Sequence, residues 1–255
     1  MALLADGLHM ASHAIAIGLS AFAYVAARRY ARDVRFAFGT WKIEILAGFA
    51  SAIILLLIAG LMVLGAVERI LAPKEILYQE ALLIAALGLM VNIASAVILG
   101  RAQQHDHDHH QHDLNLKSAY THVFADAATS VLAIVALAGG WIYGWAWLDP
   151  AMGIVGAGLV AWWAKKLIVE TGKVLLDREM DHPVVEEVRD AIESGARGDD
   201  TRLADLHVWR VGKRSYACAL SIVTHDDTLT AQKVRERLSQ HEEIAHATIE
   251  IHRCA

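Results

Sequence analysis

Runs of apolar residues long enough to cross a bilayer fill the first two-thirds of the chain, and an alternating texture replaces them from about Asp181. A span needs about 20 consecutive, mostly apolar residues. Five such runs lie at 2–27, 44–67, 78–100, 118–140 and 148–170. Past them, 183–194 mixes charge with Val and Ile at helical spacing, and Asp181 or His182 stands where a cap is needed. Positions 203–211 and 216–224 alternate as strands around the turn Gly212-Lys213-Arg214-Ser215. An amphipathic helix over 228–241 and a strand over 247–254 complete the expected pattern. The expected fold is a polytopic α-helical membrane domain, 1–175, followed by an α+β domain, 176–255, in the order α-β-β-α-β. A tail of about 75 residues is small for independent stability, so pairing with a second copy is expected.

Composition supports the membrane reading: 56% of the 255 residues are hydrophobic. The net charge of −5 comes without any dense Lys/Arg block, which argues against a nucleic-acid partner. Two cysteines, Cys218 and Cys254, are too few for a secreted disulfide framework and suit a reducing compartment.

Charge also orients the spans. Arg28, Arg29, Arg32, Arg35 and Lys42 follow the first run, Arg101 and Lys117 flank the loop after the third, and Lys165, Lys166 and Lys173 follow the fifth. The opposite connections hold only Glu68, Arg69, Lys74, Glu75 and Asp149. The Lys/Arg excess places the first set, and the tail, in the cytoplasm. Trp141, Tyr143, Trp145 and Trp147 then read as an interfacial aromatic belt on the far side. This orientation leaves Met1 at the outer face with Asp6, His9 and His13 just inside, so a further N-terminal helix is expected upstream of Met1.

Ionisable residues inside spans are costly and are functional candidates by default. His9 and His13 are four apart in the first run, as are His122 and Asp126 in the fourth, so each pair shares one helix face. On facing helices they supply three imidazole nitrogens and one carboxylate. That set suits tetrahedral Zn²⁺, Co²⁺ or Ni²⁺ and suits Mg²⁺ or Ca²⁺ poorly. Asp6, one turn before His9, is placed to orient a ligand imidazole, with a ligand role left open. Asn92 reads as an interhelical hydrogen bond, and Gly48, Gly60, Gly65, Gly153 and Gly156 as sites of close helix approach.

The segment 103–113 carries His105, His107, His109, His110 and His112, too polar for a core and suited to weak capture of divalent ions. In the tail, His207, His252 and Cys254 are candidates for a cytoplasmic metal site, with Cys218 equally readable as core. His241 and His246 are five apart, not the four of a zinc-protease helix, and no protease motif lies in a span.

Several segments resemble the cation diffusion facilitator family: LLADGLHMASH (3–13), FAFGTWKIE (36–44), VNIASAVIL (91–99), HVFADAATS (122–130) and DLHVW (205–209). The resemblance covers essentially the whole chain. It implies six membrane helices where this chain has five, a metallochaperone-like αββαβ tail, a homodimer, and exchange of a divalent metal for protons across the bacterial inner membrane. The metal is substrate, and no organic cofactor is implied. Carried over, the transport ligands are His9, His13, His122 and Asp126, and Lys42 with Asp177 forms a salt bridge locking the membrane halves together. His13 stands where most zinc exporters have Asp, which resembles the cobalt and nickel subgroup. Thr40 occupies a loop position where some members carry a metal-binding His, and Ala204 and Leu220 replace two usual tail ligands. The rival reading is a non-transporting, membrane-anchored metal buffer or sensor built on the His-rich loop.

Overall fold

Where they are described, the apolar runs are helices. The computed structural model describes residues 2–72, 77–105, 127, 130–193 and 201–254. It contains α1 (Ala2–Arg29), α2 (Lys42–Leu71), α3 (Tyr78–His105), α4 (Ser130–Tyr143 as described) and α5 (Leu148–Leu175). Among the described residues, α2 and α5 have both the length and the apolarity to cross a bilayer. The expected fourth run begins at 118, and its first part lies outside the described residues.

The chain divides into two units, Met1–Ala16 with Ala52–Lys165, and Ile17–Ser51 with Lys166–Ala255. In the first, Met62 of α2 packs on Ala157 of α5, and a Cβ on Gly156 would lie 3.6 Å from the Met62 Cε. Asn92 Nδ2 of α3 donates to Ser130 Oγ of α4 at 3.2 Å, with both residues buried, so the polar group expected in a span has an interhelical partner. Gly140 meets Tyr78, and a Cβ there would stand 2.8 Å from the ring. Among the described residues, nothing lies within 4 Å of the Cβ position at Gly60, so no close helix approach is seen there.

In the second unit α2 and α5 meet again, with a Cβ on Gly48 placed 3.4 Å from Thr171 Cγ2. The connection from α1 to α2 turns at Gly39 (φ 77°), a left-handed conformation natural to glycine. Thr40 Oγ1 then donates to the Ala27 carbonyl at 2.7 Å, satisfying one of the carbonyls that the end of α1 leaves free.

The tail continues with α6 (Pro183–Glu193), β1 (Arg202–Arg210), β2 (Tyr216–Thr224), α7 (Ala231–Leu238) and β3 (Ile244–Arg253). His182 caps α6: its Nδ1 accepts the Val184 N–H at 3.3 Å, and Pro183 fills the first helical position, where a missing N–H costs nothing. With Nδ1 accepting, neutral His182 carries its proton on Nε2, which stands 3.1 Å from the Tyr216 hydroxyl. Thr230 caps α7 by accepting the Lys233 N–H. β2 is central, antiparallel to β1 and parallel to β3. Side chains alternate along a strand. Leu206, Val208, Cys218, Leu220 and Ile222 therefore face one way and join Val188, Ile192, Val234 and Leu238 in the core.

Candidate metal-transport site

Asp6, His9 and His13 lie on α1, and the four-residue spacing of the two histidines stacks them on one face of that helix. What is described at these three positions is backbone. His122 and Asp126 lie outside the described residues, as do His107, His109, His110 and His112; His105 is the last residue of α3.

The ion pair expected between Lys42 and Asp177 is formed. Lys42 opens α2, Asp177 follows α5, and Lys42 Nζ stands 2.6 Å from Asp177 Oδ1. The sequence builds this contact through a helix end. Asp177 is the one non-glycine residue at positive φ (52°) among those described. The Arg178 N–H reaches back to the Lys173 carbonyl at 2.8 Å, and the Asp177 N–H to that of Val174 at 3.4 Å. That is the Schellman pattern, with Asp where glycine is usual. The left-handed backbone costs about 1 kcal/mol in a residue with a Cβ. With side chains 34% and 49% exposed, the pair itself contributes at most about 1 kcal/mol. A second bridge, Lys173 to Asp181 at 2.8 Å, holds the Asp181 carboxyl below its ordinary pKa.

At the other end of α2, Arg69 Nε lies 3.8 Å from Asp149 Oδ2 in the first turn of α5. The Asp149 side chain is only 3% exposed and that of Arg69 16%. In the sequence these two stand as stray charges in two loops of the far face. Eighty residues separate them, and only the folded chain shows that they meet.

The tail candidates do not converge. The sheet face away from the core carries His207, beside Ala219 and Thr248, whereas His252 registers with Val223, about 13 Å further along β3. Each faces a neighbouring carboxylate, His207 Nε2 to Asp205 at 3.0 Å and His252 Nε2 to Glu250 at 3.4 Å. Cys254 follows β3 and is exposed, Cys218 is buried, and among the described residues no three His, Cys, Asp or Glu side chains gather to hold a metal. Burial pushes the Cys218 thiol up to about 11, which fits a core residue rather than a thiolate ligand. The residues expected to form a cytoplasmic site are thus apart within one chain. At the other end of that face, Phe38 lies edge-on to Trp209 at 5.6 Å and to His246 at 5.9 Å, over the small Ala217 that registers with both.

A family model of the cation efflux transmembrane domain matches residues 1–176, from α1 through the end of α5. The chain belongs to the cation efflux, or cation diffusion facilitator, family. Cation efflux relatives match along nearly its whole length. The zinc transporter ZitB of Yersinia pestis is 29% identical over 98% of this chain and 78% of its own length. The cadmium, cobalt and zinc/H(+)-K(+) antiporter of Bacillus subtilis is 30% identical over 98% and 80%. The metal cation efflux system protein CzcD of Cupriavidus metallidurans is 27% identical over 98% and 77%. These relatives are transporters rather than enzymes.

Proposed function

We propose that this protein exports divalent transition-metal cations from the cytoplasm across the bacterial inner membrane in exchange for protons. His9, His13, His122 and Asp126 bind the ion, and Asp6 orients an imidazole. The observation that carries this reading is the family match across both segments in which ligands recur at a four-residue spacing. Zinc, cobalt and cadmium enter from the names of the relatives. Nickel rests on the nitrogen-rich donor set and on the subgroup that His13 resembles.

The chemistry of the ligands supplies the coupling. A metal requires neutral imidazoles and an ionised carboxylate, so protons compete for the same atoms. Imidazole, with a reference pKa near 6.5, changes charge within the range a proton gradient spans. Metal binds from the cytoplasmic side, the helices rock to open the site outward, and protons displace the ion. Protonated ligands then return the empty site inward, the alternating-access logic of secondary transporters. The His-rich loop holds metal near the cytoplasmic mouth, and two copies pair through their tails.

Cellular metal content tests this against a membrane-anchored buffer. Expression should lower accumulated Zn²⁺ or Co²⁺, and His122→Ala or Asp126→Ala should abolish the drop while the protein still inserts. Raised accumulation, unaffected by either substitution, would assign the chain to the buffer class.

A further inference from the structure

His182 stands where the chain leaves α5 and enters the tail, and its two ring nitrogens have separate partners. Nδ1 accepts the Val184 N–H at 3.3 Å and caps α6, while Nε2 lies 3.1 Å from the Tyr216 hydroxyl on the central strand β2. The imidazole also lies against the Tyr216 ring, with centroids 4.9 Å apart. That ring is shared. The Arg210 guanidinium of β1 is 5.9 Å from its centroid and 5.7 Å from that of Trp41, the residue before α2. A line of contacts within the second unit thus runs from the cap of α6 through Tyr216 and Arg210 to the start of α2.

Imidazole is the side chain whose charge ordinarily changes between about pH 5 and 8. Protonation puts a hydrogen on Nδ1, which then accepts nothing, and the Val184 N–H loses its partner. The groups around the ring carry both signs. Glu179 and Asp181 precede it, Glu186 lies in the first turn of α6, and Glu243 gives its carbonyl to the Tyr216 N–H. Lys173 pairs with Asp181, and Arg210 faces Tyr216. Whatever the balance of these charges, an imidazolium offers the helix no acceptor.

We propose that His182 is a proton-operated cap at the root of the tail: neutral imidazole holds the first turn of α6, and imidazolium releases it. Its use rests on the transport reading above. Exchange of metal for protons brings acid to the cytoplasmic side, where the tail lies, and a released root slows further exchange.

Amide exchange at Val184 and Val185 tests the cap, read on the full chain in detergent and corrected for the intrinsic pH dependence of exchange. Wild-type protection should fall about fivefold between about pH 8 and pH 5.5, the usual effect of losing one cap. His182→Asn supplies an acceptor that does not titrate and should stay protected at both, and His182→Ala should be low at both. Wild-type protection that holds level, a fall of equal size in His182→Asn, or His182→Ala as protected as wild type at the higher pH would overturn the cap. Zn²⁺ turnover in proteoliposomes tests the feedback, with the size of the proton gradient held constant while the pH on the tail side is lowered. Wild type should slow about twofold or more relative to His182→Asn as the capped fraction falls. Equal slowing of the two would overturn the feedback. Wild-type protein that moves no Zn²⁺ at either pH would instead defeat the transport reading, and amide exchange would still decide the cap.

Discussion

The tail and the membrane bundle bury opposite kinds of residue. In the tail, Val188, Ile192, Ile222 and Leu238 are enclosed, and polar side chains such as His207, Glu250 and His252 line the uncovered sheet face. In α2 the most enclosed positions are Ala52, Ala59, Met62 and Ala66, the three alanines seven residues apart, and Leu56, Leu57, Leu61, Leu64 and Ile70 point outward. Water drives the first arrangement, since removing a large apolar side chain from it stabilises the fold by about 1.5–3 kcal/mol. Lipid removes that incentive: a leucine is as well solvated by acyl chains as by protein, so helices meet where small residues allow close packing. The same amino-acid alphabet is thus read inside out on the two sides of Asp177. Electrostatics follows the same division. The pairs Lys42–Asp177, His207–Asp205 and His252–Glu250 are water-exposed and individually weak, and the enclosed pair Arg69–Asp149 lies at the end of apolar helices.

Cutting a large side chain from the tail core should have the greatest effect. Ile222→Ala removes a fully buried residue and should destabilise the tail by about 2–5 kcal/mol. Labelling of the buried Cys218 thiol across a urea series measures this directly, with the exposed Cys254 as internal reference. In the bundle the sensitive change runs the other way. Ala66→Leu should cost about 1–3 kcal/mol by overpacking a position with no exposure, and Leu57→Ala, 65% exposed, should be nearly silent. Thermal unfolding in detergent ranks the two; a leucine-to-alanine loss exceeding the alanine-to-leucine one would collapse the contrast between regions.

The helix end at Asp177 should respond more gently. Asp177→Asn keeps a side chain that tolerates positive φ and loses at most about 1 kcal/mol with the ion pair, whereas Asp177→Ala adds backbone strain of similar size. Asp177→Gly relieves the strain and should fall between them or above both in thermal midpoint. A separate effect appears at alkaline pH. Burial raises the Cys218 thiol from 9.0 to about 11 and raises Tyr216 as well. A raised acid group contributes stability that is complete below its unfolded pKa and is lost as pH climbs through the folded one. The tail's urea midpoint, followed by tryptophan fluorescence, should hold level to pH 9 and decline toward 11, with a shallower decline in Cys218→Ala.

Much of this was legible in the sequence because it is encoded locally. Apolar run length marked α1, α2, α3 and α5 to within a few residues at most of their ends, and alternation with turn residues gave the order of the tail elements. Both candidate caps of α6 were visible, and geometry chose His182. Pairings across long separations were not legible. Nothing near Arg69 points to Asp149, because a charge in a loop reads as solvated until a partner helix encloses it. Strand register was equally hidden. His207 and His252 were reasonable partners by composition, but a one-residue difference in pairing moves a side chain by a whole pleat, and the observed register sets them apart. Of the proposed transport ligands, the sequence supplies spacing and the structure supplies the helix bearing His9 and His13.

Proton-driven uptake of Zn²⁺, Co²⁺ and Ni²⁺ into everted membrane vesicles tests the central claim most directly. The account predicts uptake that requires the gradient, stops when an ionophore collapses it, and is lost in Asp126→Ala. Metal that binds the vesicles equally with and without the gradient, and equally in Asp126→Ala, would contradict it.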